Sequence, residues 1–303
     1  MANGAKFVLD VEVTDTTIPV LRKDPILTNG SLVLMDNSNP SITPPSVIPA
    51  SNPATAGVIP NVAWEEAKAI FGSGDVTSLG FSTLNTYTAS SGKVEMTAKK
   101  GVHAIISQVN HTARTQTFNI VMPAVYRQYF YDNSGHKFYV SVWRKKTRLP
   151  AAGVDWALLG LLFGTTSVYM GLELVALNAN GGRITMANMG TNRRIAAVDN
   201  DLNPYFKNVS SGGGTIGTPA ANTNTDASNF LFALGGQISA YTDTYVLNKL
   251  PSVITYRVYI EDQTVSGRSY AEIDAIDKAL YDAAFAVGGK FYGDTFTDPA
   301  TLP

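Results

Sequence analysis

The 303-residue chain contains no cysteine, only three histidines and few charges, and each shortage closes a class of function. Without cysteine there is no disulfide framework, no thiolate zinc site and no cysteine nucleophile. Charged residues supply 16% of the chain, against roughly 25% in an ordinary soluble domain. Asn, Thr, Ser, Gly and Ala carry much of the polarity instead, which reads as a surface meant to be covered. The net charge is −1 with no long basic run, so no strong sequence-independent attraction to nucleic acid is expected. Long hydrophobic runs are missing too. The most apolar stretch, Trp156 to Phe163, is far shorter than the roughly 20 residues needed to cross a bilayer and reads as a buried strand. The opening MANGAKFVLDVEVTD shows no charged segment followed by an apolar one, so the chain is expected to stay where it is made, with no membrane partner.

Reaction chemistry is equally sparse. His103, His111 and His136 are the only histidines, and none falls at metal-ligand spacing. His103 and His111 frame one predicted strand, where about 27 Å would separate them at ~3.3 Å per residue. The run Gly212-Gly213-Gly214-Thr215-Ile216-Gly217 fits a dinucleotide-binding pattern by letter. No strand precedes it, though, and Pro219 stands where a helix should begin. No phosphate-binding GxxxxGK[ST] loop, GxSxG nucleophile elbow or HExxH zinc motif occurs. Asp199-Asn200-Asp201-Leu202-Asn203 has oxygen ligands at alternate positions, as a calcium loop does, but Pro204 replaces the required glycine; a turn bonding its own backbone is the simpler reading. Glu261, Asp262, Asp274 and Asp277 gather near the last strand and helix, where paired carboxylates could act on sugars if a cleft joined them. Arg144, Lys145, Lys146 and Arg148 follow Phe138, Tyr139 and Trp143, a mixture that can stack sugar rings or bases but more commonly marks a strand end. No cofactor and no metal is expected.

What is present is a β protein. With 45% hydrophobic and 10% aromatic residues the chain can bury a large core. Alternation or β-branched and aromatic enrichment predicts strands over Lys93–Ala98, Val102–Val109, Thr115–Met122, Lys137–Arg144, Trp156–Phe163, Ser167–Leu177, Arg183–Met189, Arg193–Val198, Phe230–Ser239 and Val253–Glu261. Clusters at Ser90–Gly92, Asp132–Gly135 and Asn178–Gly182 look like hairpin loops. About ten short strands with this spacing predict an antiparallel β-sandwich of jelly-roll type.

Three units follow: an N-terminal strand and Pro-rich arm (1–60), a sandwich body (61–262), and a C-terminal helix with an aromatic tail (263–303). In the arm, six prolines between Asp36 and Pro60 exclude a helix or central strand. Val47, Ile48, Val58 and Ile59 are spaced through it, which a pure spacer would not need. Asn61 is the expected cap of a short helix carrying Glu65 and Glu66 in its first turn, with Trp64, Ala67, Ile70 and Phe71 on one side and Gly72 as its stop. The last helix shows a capping box at Ser269 and Glu272, an Ile273/Ile276/Leu280/Ala284 stripe and a Gly288-Gly289 stop. Beyond it Phe291, Tyr292 and Phe296 are expected to pack against something. The Ser/Gly/Thr/Asn-rich stretch 208–229 reads as a long exposed loop.

Two resemblances add to this. Ile254-Thr255-Tyr256-Arg257-Val258-Tyr259-Ile260-Glu261, followed by Ser266-Gly267-Arg268-Ser269-Tyr270-Ala271-Glu272-Ile273, resembles the closing strand and turn of concanavalin-like, laminin-G-like jelly rolls. Phe230-Leu231-Phe232-Ala233-Leu234-Gly235-Gly236 is similar to the preceding strand of that fold. Together they cover under a fifth of the chain, and the helix here is longer than the turn usual there. In style, the low charge, absent cysteine, Asn/Thr/Gly-rich strands, proline-rich arm and aromatic tail are similar to structural proteins of tailed-bacteriophage particles. The resemblance implies a non-catalytic virion component assembled in the host cytoplasm, such as a capsid decoration or cement protein, whose partners are copies of itself and other virion proteins. Val47, Ile48, Val58, Ile59, Phe291, Tyr292 and Phe296 are the expected contact residues. The alternative is a lectin-like module that binds glycans through aromatics such as Tyr139 and Trp143.

Overall fold

The computed structural model describes residues 23–48, 57–113, 115–133, 136–149, 151, 155–163, 169–177, 181–187, 230–234 and 247–303. In chain order these form β1 (Ser31–Met35), β2 (Val58–Ile59), α1 (Trp64–Phe71), β3 (Phe81–Asn85), β4 (Gly92–Met96), β5 (Val102–Ile106), β6 (Phe118–Val121), α2 (Ala124–Asp132) and β7 (Phe138–Arg148). There follow β8 (Asp155–Phe163), β9 (Tyr169–Leu177), β10 (Gly181–Ala187), β11 (Phe230–Leu234), β12 (Ser252–Asp262), α3 (Gln263–Ser266) and α4 (Tyr270–Phe285). The protein is mainly β, and every strand pair is antiparallel. The expected strand Arg193–Val198, the 208–229 loop and the Asp199–Asn203 turn lie outside the described residues.

A six-stranded sheet runs β10-β7-β12-β5-β4, and β1 also pairs with β12. The eleven-residue β12 is long enough to divide one edge between two partners, β5 beside Val253–Thr255 and β1 beside Val258–Glu261. A four-stranded sheet runs β11-β6-β3-β2, and β8 with β9 forms a separate ribbon. Alternation then decides what each sheet buries. Phe138, Val140 and Val142 of β7, Val258 and Ile260 of β12 and Val102, Ala104 and Ile106 of β5 join Phe81, Phe118 and Ile120 of the smaller sheet in one core cluster. That layer between two sheets makes the sandwich. On the other face of the large sheet, Tyr139, Trp143, Ile254, Tyr256 and Tyr259 meet α4 and the segment after it.

The two anticipated helices form, with differences that have local causes. α1 carries Glu65 and Glu66 in its first turn and ends on Gly72 at φ 75, where a left-handed residue closes the helix. Its cap position is held by Ala63, not Asn61. Asn61 is fully buried, and its amide takes Leu34 N at 2.8 Å and Ala63 N at 3.0 Å while donating to Leu32 O and Tyr126 Oη, each at 2.8 Å. Satisfying buried backbone groups on β1 outranks capping a solvent-facing turn. α4 has the expected capping box of Ser269 and Glu272. Two further helices appear, α2 after Pro123 and the four-residue α3, whose first N–H groups are capped by Asp262.

Two of the expected hairpin loops are corrected: Ser90–Gly92 leads from β3 into β4, which belong to different sheets, and Asp132 and Asn133 close α2. Residues 134–135 and 178–180, on which the rest of the expected loops fall, lie outside the described residues. Turn chemistry shows where the chain reverses, while the sheet it enters next is set by distant packing.

Asn61→Ala strips four hydrogen bonds from a water-free site. It is expected to cost about 3 kcal/mol in urea unfolding, against about 1 kcal/mol for Ser269→Ala at the exposed cap.

Candidate functional site

Arg257 lies in the strand that closes the large sheet, yet it points into the layer between sheet and α4. The cause is a bulge. Thr255 pairs with Arg144 and Arg257 with Trp143, so Tyr256 is an extra residue and both Tyr256 and Arg257 face the helix. Arg257 is 1% exposed. Its guanidinium makes two 2.8 Å bonds to Asp24, a third of 3.1 Å to Asp36, and stacks 4.8 Å above the Trp143 ring. Lys290, beyond α4, completes the set at 2.5 Å from Asp36. Asp277 of α4 accepts from Trp143 Nε1 at 3.1 Å and from Tyr139 Oη at 3.3 Å. Burial pushes the Asp24 carboxyl up, but Arg257 more than reverses this and leaves it below the ordinary range. Burial would likewise lower Arg257, and Asp24, Asp36 and Asp277 instead raise it above its usual value.

The acidic residues singled out at the end of β12 are each occupied in a different way. Glu261 is buried, pairs with Arg268 and takes the Tyr259 hydroxyl at 2.5 Å. Asp262 is also buried. One oxygen caps α3 through Thr264 N and Val265 N, and the other takes Tyr129 Oη at 2.7 Å and His136 Nδ1 at 2.6 Å. Asp274 and Asp277 both bond Tyr139. These four carboxylates act as structural acceptors in three hydrogen-bonded clusters, Asp274 and Asp277 sharing one through Tyr139. Tyr139 and Trp143, the aromatics expected to stack a sugar, are fully buried under α4.

The basic cluster is dispersed in the same manner. Arg144 is buried, Lys145 lies 4.9 Å over the Phe296 ring, and Arg148 donates to the carbonyls of Ile106, Pro299 and Leu302. His111 bonds Gln116 O at 2.8 Å, and His103 lies between Glu95 Oε1 at 3.1 Å and Thr147 Oγ1 at 2.8 Å. Among the described residues no group of three or more His, Asp or Glu is placed to hold a metal ion, and no helix is long and apolar enough to cross a membrane.

The expected contact residues fall into two sets. Ile59 and Phe291 are buried in the chain's own clusters, Ile48 packs on the central core, and Phe296 lies against His103 and Lys145. Val47 at 55%, Val58 at 40% and Tyr292 at 50% remain exposed. Val47 and Val58 exchange two backbone hydrogen bonds, of 2.7 and 3.1 Å, and Val58 pairs in turn with Ser82 of β3. Val47 and Val58, both from the Pro-rich arm, thus build the outer rim of the four-stranded sheet.

The aromatic tail is latched to the large sheet by groups that sequence reasoning did not single out. Glu95 takes Thr297 N at 2.8 Å and Thr297 Oγ1 at 2.6 Å, Asp294 takes Lys99 N at 2.8 Å and Tyr256 Oη at 2.9 Å, and Thr295 O takes Ala98 N at 3.1 Å. Burial pushes Glu95 up, but donors from Thr297, His103 and Lys93 outweigh it and hold the carboxyl at about 2. Burial lowers His103 below its ordinary value despite Glu95.

No family model matches the chain, and no curated protein matches it either.

Three expectations follow. Arg257→Ala leaves Asp24 and Asp36 buried against an empty site and should cost about 3–5 kcal/mol in denaturant unfolding. The folded state holds Glu95 ionised, so its stabilisation is complete above the ordinary pKa of 4.5 and is lost as pH falls towards about 2. Glu95→Gln should therefore melt below the parent at pH 7, and the two melting curves should converge as pH approaches 2. Because His103 is favoured neutral, its share of the stability begins to fall below pH 6.5.

Proposed function

We propose that the chain is a non-catalytic structural component of a tailed-phage virion, acting as a capsid decoration or cement protein that docks on neighbouring subunits. The observation that carries this reading is the exposed Val47–Val58 pair at the outer rim of the four-stranded sheet. A sheet edge bearing exposed β-branched side chains is a place where another chain adds readily, and monomeric proteins usually guard such edges. The low charge and the Asn/Thr/Ser-rich polarity suit a surface repeatedly covered by copies and neighbours. In a lattice, effective concentration turns many modest contacts into a stable shell, so a small patch per subunit suffices. Glu261, Asp262, Asp274, Asp277 and Arg148 are committed to holding the fold, which favours a structural role over hydrolysis.

The test has two parts. Mass spectrometry of purified particles should find the chain in fixed proportion to the major shell protein. A Val47→Asp/Val58→Asp variant should keep its melting temperature within a few degrees, since both sites are exposed, yet lose incorporation. Absence of the chain from particles, or undiminished incorporation of the variant, would overturn the proposal.

A further inference from the structure

Asn29 and Gly30 occupy the middle of the turn that leads into β1. Ser31 N closes the turn on Thr28 O at 2.9 Å, and Thr28 N bonds Ser31 Oγ at 2.9 Å. Of the three Asn-Gly pairs in the chain, at 3–4, 29–30 and 180–181, this one lies wholly within the described residues. Packing demands the glycine: a Cβ at position 30 would stand 2.4 Å from Asp262 O and 2.7 Å from Ser266 Cβ. The fold therefore sets, directly after an exposed asparagine, the residue that least hinders attack by its own backbone nitrogen.

An asparagine amide is open to attack by the backbone nitrogen of the next residue, provided that nitrogen is not held elsewhere. Among the described residues Gly30 N donates to no acceptor, because the turn's hydrogen bond engages its first and last residues. Asn29 Oδ1 accepts from Thr28 Oγ1 at 2.9 Å, which sets a donor where negative charge develops as the nitrogen adds. Asn29 Nδ2 has a single long contact, 3.5 Å to Val265 O, and is free to leave. Other asparagines are guarded. The nitrogen after Asn37 is held by Asp36 Oδ1 at 3.1 Å, the one after Asn61 by Leu34 O at 2.9 Å, and the one after Asn85 by Thr117 O at 2.8 Å.

We infer that Asn29-Gly30 is a site of spontaneous modification, at which asparagine converts through a cyclic imide to aspartate and isoaspartate. The bond from Gly30 N to Asn29 Cγ forms, the Cγ–Nδ2 bond breaks, and the Gly30 proton departs with Nδ2 as ammonia. One water then opens the imide at either carbonyl, and opening at the main-chain carbonyl gives isoaspartate, whose backbone is longer by one methylene. The added atom falls where the turn has no slack. Gly30 O accepts Asp262 N at 2.8 Å, and Ser31 Oγ shares a 2.8 Å hydrogen bond with Tyr259 Oη, beside the buried Glu261–Arg268 pair. Isoaspartate displaces this turn and loosens the union of β1 with the end of β12. The change is a property of the chain alone and stands apart from the docking role.

Ageing the full folded chain for weeks in mildly alkaline buffer tests the assignment. Peptide mapping by mass spectrometry should find residue 29 converted with a mass gain of about 1 Da, and an isoaspartyl methyltransferase should label it. Conversion should quicken as pH rises, since the deprotonated nitrogen attacks, while Asn37, Asn61 and Asn85 stay intact. The converted chain should melt about 2–4 °C below the fresh one. Asn29→Gln, at an exposed position, should melt with the fresh parent, take no label at residue 29 and keep its melting temperature on ageing. Residue 29 intact in the folded chain but converted in urea would show that the turn protects it and would overturn the assignment. Conversion of Asn37, Asn61 or Asn85 at the same rate, or a labelled chain that melts with the fresh one, would overturn it equally.

Discussion

A guanidinium buried between a sheet and a helix is the constraint around which the rest of this molecule is arranged. Removing Arg257 from water carries a penalty that only close, multiple pairing can offset. The pairing comes from chain segments far apart in sequence: Asp24 before β1, Asp36 just after it, and Lys290 beyond α4. The charge cluster therefore acts as a registration device. Displacing the N-terminal segment or the end of α4 would strand an unpaired charge in a dry layer, so both ends of the described chain are held to one strand. The Trp143 ring, with Arg257 over it at 4.8 Å, closes the site against water.

This arrangement explains why the central strand of the large sheet is buried on both faces. An antiparallel sheet commonly leaves one face to solvent, and β12 here is buried along its whole length. One face meets the second sheet. The other is covered by α4 and then by residues 291–303, which run from the Tyr256–Phe291 contact to the carbonyls gripped by Arg148. The tail's aromatics serve the chain's own interior first, and Tyr292 is the member left at the surface.

Much of this was legible in the residues, and the failures share a cause. The strands around Val102, Phe138, Asp155 and Ser252 announce themselves by alternation or by apolar run, and α4 by its capping box, because those signals are local. α2 escapes because Pro123 gives it no side-chain cap, no acid stands in its first turn and no base in its last, and its aromatic sequence AVYRQYFYD reads as well for a strand. The spacing of Tyr126, Tyr129 and Phe130 was the available clue. Arg257 was invisible for another reason. The bulge at Tyr256 shifts the alternation by one, so a residue that strict alternation assigns to one face lies on the other. Asn61 looks like a cap from its neighbours and is claimed by β1, twenty-seven residues away in sequence. The acids near Glu261 were found as a group, but their separation into distinct hydrogen-bonded clusters depends on Arg268, Tyr129 and Trp143, which only the fold brings to them.

The same geometry limits how the protein can meet other molecules. With both faces of the large sheet occupied by its own chain, contact among the described residues is left to edges, turns and hollows. The Val47–Val58 rim is such an edge: the two residues use their backbone groups on each other and leave their side chains at the surface. Because this segment follows the turn that carries Asp36, the buried Arg257 cluster fixes the base from which the rim is presented.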